Sequence, residues 1–272
     1  MINAWEDETP PRAAALRMEA AQAIFFLTRI PLKIADGARL PPLSQAARAF
    51  ALAGALVGLI AGVCGSVAFH LGLGSFVAGA IALAAGIIAT GALHEDGLAD
   101  MADGFWGGHT IPRKLAIMRD SRIGSYGVLA LGLSLLIRAG LLATIVERGG
   151  GICLILLMMG AGAASRALMV PLMAHLPAAR PDGLSASAGV PEKRVVTQAL
   201  VLGGGLALVL FWAGAGLFAG LLALILAAAA AYGVSRLALH HIGGQTGDVC
   251  GALSVLSEMA ALAGLVMLLA AN

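Results

Sequence analysis

The sequence predicts an all-α protein, a polytopic transmembrane helical bundle of about seven spans preceded by an amphipathic interfacial helix. Three observations predict it. Hydrophobic residues fill 60% of the 272 positions and charged residues only 12%, with a mean hydropathy of +0.93, whereas a soluble domain is roughly a quarter charged. No Asp, Glu, Lys or Arg occurs from Ala49 to His94, or from Val195 to Ser235, and each run is long enough for two crossings of about 20 residues. The apolar runs are continuous rather than alternating in ten-residue segments. A backbone in lipid has to satisfy its own hydrogen bonds, so helices rather than a β-barrel follow.

Residues 1–48 read as an N-terminal extension with an interfacial segment, and residues 49–272 as the transmembrane helical domain. Glu6-Asp7-Glu8, with no basic region leading into an apolar one, does not resemble a cleaved signal peptide. Within Ala13–Ile30, Leu16, Ala20, Ala23, Ile24 and Leu27 recur at near-helical spacing. That pattern suits a helix lying on the membrane surface until Pro31 ends it. The first uncharged run divides at His70-Leu71-Gly72-Leu73-Gly74 into spans one and two. Tyr126–Val146 and Ile152–Met173 make spans three and four, each with one charge, Arg138 and Arg166, joined by a Glu147-Arg148-Gly149-Gly150-Gly151 loop. The second run divides around Phe211–Gly216 into spans five and six, and Cys250–Ala271 makes the seventh. Abundant Gly and Ala suit close helix crossings.

With seven spans, the stretches 1–48, 94–125, 174–194 and 236–249 share one side. They hold fourteen of the 17 Lys and Arg, against Arg148 alone on the other side; the asymmetry assigns the populated side to the cytoplasm. A net charge of +2 is too small and too dispersed for a nucleic-acid binder. Cys64, Cys153 and Cys250 lie in or beside apolar stretches without a C-x-x-C pair, which argues against a disulfide framework or a thiolate zinc site.

The polar residues collect on that side. His94–Gly104, at the end of span two, contains Glu95, Asp96, Asp100 and Asp103. If the segment is helical, Asp96, Asp100 and Asp103 fall at i, i+4 and i+7 on one face. Their repulsion is relieved by a divalent cation, and oxygen donors without cysteine favour magnesium or manganese over zinc. A merely solvated helix end would mix signs. Downstream, Arg113–Gly127 concentrates guanidinium groups, a hydroxyl and glycines, including Arg119, Ser121, Arg122 and Gly124. Such groups match phosphate oxygens. Alone, the stretch also fits a positive-inside anchor; beside three aspartates it reads as a diphosphate site with its metal. Arg180–Gly189 is a polar loop, either a connector or a substrate entrance. Gly243–Asp248 leads into span seven, where Glu258 lies about 15 Å deeper along a helix. An acid there needs a partner; Arg138 and Arg166 are the candidates, in a structural ion pair or a polar cavity.

Phe26-Leu27-Thr28-Arg29-Ile30-Pro31, His94–Gly104, Arg119–Gly127, and Gly243–Asp248 with Glu258 have an order and spacing that resemble the cobalamin synthase family, the adenosylcobinamide-GDP ribazoletransferases of bacterial and archaeal inner membranes. The likeness covers nearly the whole chain, and its H-x-D-G-L-A-D-x-x-D-G and R-D-S-R-[IL]-G runs are far more specific than a lone D-x-x-D. Two features depart from it: an N-terminal extension of about a dozen residues, and Ser185 where members commonly carry a second glycine. Glu95 occupies a variable position of the motif.

The resemblance implies a multi-pass protein of the bacterial inner membrane with its active site on the cytoplasmic face. It implies transfer of the adenosylcobinamide phosphate group from adenosylcobinamide-GDP to α-ribazole or its 5′-phosphate, with release of GMP. The site expected on this basis has Mg2+ on Asp96, Asp100 and Asp103. Substrate is expected on Arg119, Ser121, Arg122, Gly124, Arg166, Gln245, Thr246 and Glu258, and proton transfer at Asp120, Asp248 or His94. A homo-oligomer, or association with other late corrinoid-pathway enzymes, is the expected assembly. CDP-alcohol phosphotransferases are the runner-up, but their Ala-Arg after the glycine and later G-x-x-x-D-x-x-x-D are missing here. A transporter is the competing class, yet its key residues belong near midplane in interrupted helices, whereas most of these sit at one membrane face.

Overall fold

Helices account for the regular structure of residues 12–32 and 40–270, the part of the chain that the computed structural model describes. The expected acidic Glu6-Asp7-Glu8, Lys33, Arg39 and the Ala271 end of span seven lie outside these residues. In chain order the helices are α1 (Arg12–Leu27), α2 (Leu43–Ala46), α3 (Phe50–His70), α4 (Ser75–Thr90), α5 (Leu93–Gly107), α6 (Ile111–Ile117), α7 (Ser125–His175), α8 (Leu184–Ala188), α9 (Lys193–Ala215), α10 (Leu217–Ile242) and α11 (Gly247–Leu268). A 3₁₀ turn, Ala47–Ala49, joins α2 to α3. Among the described residues five helices are long and apolar enough to cross a membrane, or six if α4 and α5 together count as one. With 16 residues, α4 alone is only about 24 Å long.

The turns expected around 70–74 and 211–216 separate α3 from α4 and α9 from α10. The connection expected at Glu147–Gly151 is where the chain turns, and it is tighter than a loop: helical structure reaches up to and resumes after Gly150 (φ 75°, ψ −176°), a positive-φ conformation that glycine adopts at little cost. Arg138 and Arg166 reach the same carboxylate, Glu258. A straight helix would hold two residues 28 positions apart at roughly 42 Å, so the 51 residues of α7 double back at Gly150 as two antiparallel arms.

The second arm packs on α3 through glycines at four-residue spacing. A Cβ on Gly54 would overlap the Gly162 carbonyl, one on Gly58 the Met158 carbonyl, and one on Gly62 the Ile155 backbone. Small residues here let the helices approach to backbone contact, which is how helices associate where lipid removes the hydrophobic drive. Along the expected apolar face of α1, Ala23 and Leu27 are buried and Ala20 and Ile24 pack against the same core, but Leu16 is exposed. The helix is also fastened by a polar group, the buried Glu19 carboxylate, which pairs with Arg48 and accepts a hydrogen bond from Gln45 at 3.0 Å.

The acidic run does not continue the second crossing. Gly91 (φ 65°) and Ala92 (φ 60°) are both left-handed, and α5 leaves α4 at 90°, so α5 does not extend that crossing. Ala92 is the one non-glycine residue with positive φ among the described residues, a conformation costing about 1–2 kcal/mol for an L side chain. The strain sits at the elbow that turns the acids sideways.

Candidate functional site

The acids of α5 divide between two faces. Asp96 is exposed and Asp100 half-buried, whereas Glu95 and Asp103 are buried. Gly97 seats the helix against α11, where a Cβ would come within 2.6 Å of the Asp248 carbonyl oxygen. This contact brings Asp248 to the acids of α5. Burial raises the Asp100 carboxyl to about 7, helped by repulsion from Asp248, Asp96 and Asp103 and opposed by Arg180. Hard oxygen donors with more negative than positive charge fit a divalent cation. Among the described residues no group of three or more His, Cys, Asp or Glu side chains is placed to hold a metal ion by itself.

Asp248 is held by its own loop. The Thr246 hydroxyl caps α11, accepting the Val249 N–H at 3.3 Å and donating to Asp248 Oδ2 at 3.1 Å. The buried Gln245 backbone is clamped to the 176–183 segment. Its N–H donates to the Pro177 carbonyl at 2.8 Å, and its carbonyl accepts the Ala179 N–H at 2.9 Å. The segment thereby presents Arg180 Nη2 to Asp248 Oδ2 at 3.5 Å. Burial, the largest influence on the Arg180 guanidinium, lowers its pKa. Ser185, at the position where the family pattern has a glycine, donates to the Gln245 carbonyl at 3.4 Å. The 180–189 loop therefore packs over the site.

Asp103 already uses both oxygens. They accept the N–H groups of Gly124 at 2.6 Å and Gly127 at 2.9 Å, so a side chain from α5 caps the start of α7. A Cβ on either glycine would crowd those oxygens, a physical reason for glycine at both places. The rest of the R-D-S-R segment faces outward. Arg119 pairs with Asp182 at 2.5 Å and Arg122 with Asp120 at 2.7 Å. Hydrogen bonds from Arg122 hold the Asp120 carboxyl down at about 2, which makes it a weak base. Ser121 is exposed.

Glu258 finds both of its expected partners. Arg138 donates to it at 2.7 Å and Arg166 also donates to it, while the other side of Arg138 donates to Glu95 at 2.9 Å. All four residues are buried. Two carboxylates and two guanidiniums balance, linking both arms of α7 to α5 and α11. The sequence reading missed Glu95, although it left a signal: Glu95 shares a helical stripe with Leu98, Ala99 and Ala102, and a single acid on an apolar stripe calls for a buried partner. Arg166 and Glu258, expected at substrate, are thus committed to each other.

A cavity of about 180 Å³ opens between α5, α11, the second arm of α7 and the 180–189 loop. Asp96, Asp248, Arg180, Thr246 and His94 line it together with Phe26, Phe50, Met169 and Met173. His94 is 2% exposed, and neither ring nitrogen has a hydrogen-bond partner.

Residues 19–266 match the family model described as cobalamin-5-phosphate synthase. The adenosylcobinamide-GDP ribazoletransferase of Brucella ovis is 42% identical over 253 residues, covering 92% of this chain and 97% of that protein. Proteins of the same name from Brucella canis and Brucella suis match with the same identity and coverage. No solved structure matches the chain.

Proposed function

Because the chain belongs to the cobalamin-5-phosphate synthase family, we propose that it is a membrane transferase that joins the adenosylcobinamide phosphate of adenosylcobinamide-GDP to α-ribazole or its 5′-phosphate and releases GMP. The observation that carries this reading is that Asp96 from α5 and Asp248 from α11 line one largely apolar cavity together with Arg180. The acceptor hydroxyl oxygen bonds to the cobinamide-side phosphorus. The bond from that phosphorus to the bridging oxygen breaks, and GMP departs with the electron pair. Positioning and charge stabilisation dominate such a reaction. Asp248, at the cavity, takes the hydroxyl proton; Asp120, held by Arg122, is the poorer base. Arg119 and Arg122 exchange their carboxylate partners for non-bridging oxygens.

Asp96 and Asp100 would hold Mg2+, which when bound supplies neutralisation of pyrophosphate charge, leaving Asp248 free for the proton. Asp103 acts at one remove, fixing the loop that carries Arg119 and Arg122. We read α3, α4, the two arms of α7, α9, α10 and α11 as seven crossings of the inner membrane. The balance of basic residues favours α5 on the cytoplasmic side.

The test is turnover by the purified protein in lipid nanodiscs, with GMP and corrinoid products measured chromatographically. Ribazole-dependent, Mg2+-dependent formation of adenosylcobalamin and GMP in equal amounts is expected. GMP release that ignores ribazole would overturn the assignment.

A further inference from the structure

Arg180 is the one lysine or arginine among the described residues that line the cavity, where it stands with Asp96 and Asp248. The neighbouring arginines are committed or lie outside. Arg138 and Arg166 are taken up by Glu95 and Glu258 in the interior. Arg119 and Arg122 lie beyond the cavity with side chains 51% and 87% exposed, where water screens their charge. The Arg180 side chain is only 12% exposed, so its charge acts through less water.

A guanidinium carries five N–H donors in a planar fork. Among the described residues, that of Arg180 has one hydrogen-bond partner, Asp248 Oδ2 at 3.5 Å, the outer limit for such a bond, and its buried Nε has none. A phosphate, with oxygens spaced to match the fork, is the ligand that fills it. The backbone fixes where the fork stands. Gln245 is bonded to Pro177 and Ala179 before Arg180 and to Ser185 after it. Gly244 packs so closely that a Cβ there would come within 2.2 Å of the Pro177 carbonyl oxygen. A cation placed by such a clamp needs little reorganisation when charge develops beside it. Asp248 Oδ2 accepts the Thr246 hydroxyl as well, so Arg180 stands next to the group that takes the acceptor proton.

Resting on the transferase reading, we propose that Arg180 is a catalytic residue whose guanidinium holds the non-bridging oxygens of the cobinamide-side phosphate during the attack. The acceptor oxygen bonds to that phosphorus and its proton goes to Asp248. The bond to the bridging oxygen breaks, and its electron pair leaves with GMP. Arg180 meets the charge on the phosphate that stays, while Arg119 and Arg122 serve the oxygens of the phosphate that departs.

The experiment uses the full chain in nanodiscs. Arg180→Ala should lower kcat about a hundredfold or more and leave the KM for α-ribazole within about threefold. Added guanidinium ion should recover about tenfold of that loss in the variant, a response that a merely structural arginine would not give. Arg180→Lys keeps the charge without the fork and should remain about tenfold or more below the unaltered protein; it decides the matter if the alanine variant does not fold. Full kcat in either folded variant, or a loss in Arg180→Ala that guanidinium does not relieve, overturns the assignment and leaves the transferase reading intact. An unaltered protein that forms no adenosylcobalamin from the two substrates overturns both.

Discussion

Glu95 and Asp96 follow one another on α5, yet the first is buried against Arg138 while the second lies open on the face that also carries Asp100 and meets Asp248. In the interior, two acids and two arginines cancel. At the cavity, Asp96 and Asp248 face one guanidinium, Arg180, with Asp100 near enough to be repelled by both acids. The interior set resembles a fastening and the other an unfinished charge balance waiting for a ligand. Charges that are balanced and dry hold helices together, and charges left in excess at an opening mark where chemistry is done.

The contrast can be broken from either side. Arg138→Met leaves Glu95 and Glu258 with Arg166 alone; it should cost about 3–5 kcal/mol, read as a large fall in unfolding temperature in detergent. Adding Glu95→Gln should recover part of that loss, as a double-mutant cycle will show. Asp96→Asn should do the reverse, lowering turnover about a hundredfold or more, roughly 2.7 kcal/mol, with unfolding unchanged. Equal thermal damage by the two substitutions would erase the distinction. Chelation sharpens it: EDTA should abolish turnover, excess Mg2+ should restore it, and the unfolding temperature should stay far above that of Arg138→Met. Asp103→Asn belongs between the regions. It keeps one acceptor oxygen but sets its NH2 against the other glycine N–H and loses the charge at the start of α7, an expected cost of about 1–3 kcal/mol with a modest fall in turnover. The smallest effect concerns the elbow, where Ala92→Gly removes left-handed strain and should raise stability by less than about 1 kcal/mol, measurable by urea unfolding.

Much of the helical layout is legible in composition alone. The uncharged runs and their Gly-rich interruptions mark α3, α4, α9 and α10, because lipid leaves the backbone few choices. The pairing of Glu258 with Arg138 and Arg166 is legible too, since a deep acid demands a cation. The reversal between the two arms of α7 is legible in its three consecutive glycines, of which one positive-φ residue, Gly150, suffices to fold the helix back on itself. The elbow at Gly91-Ala92 escapes, since alanine carries no turn signal. With it goes the knowledge that Glu95 points inward while Asp96 does not. The approach of Asp248 to Asp100 joins residues almost 150 positions apart, so no local pattern announces it; Gly97 hints only that something comes near.

That glycine governs more than one contact. With no room for a side chain between Gly97 and the Asp248 main chain, the gap between the two carboxylate-bearing helices is gauged by peptide resting on peptide, as in a closed caliper. No rotamer change can widen the jaws; only parting the helices themselves would do so.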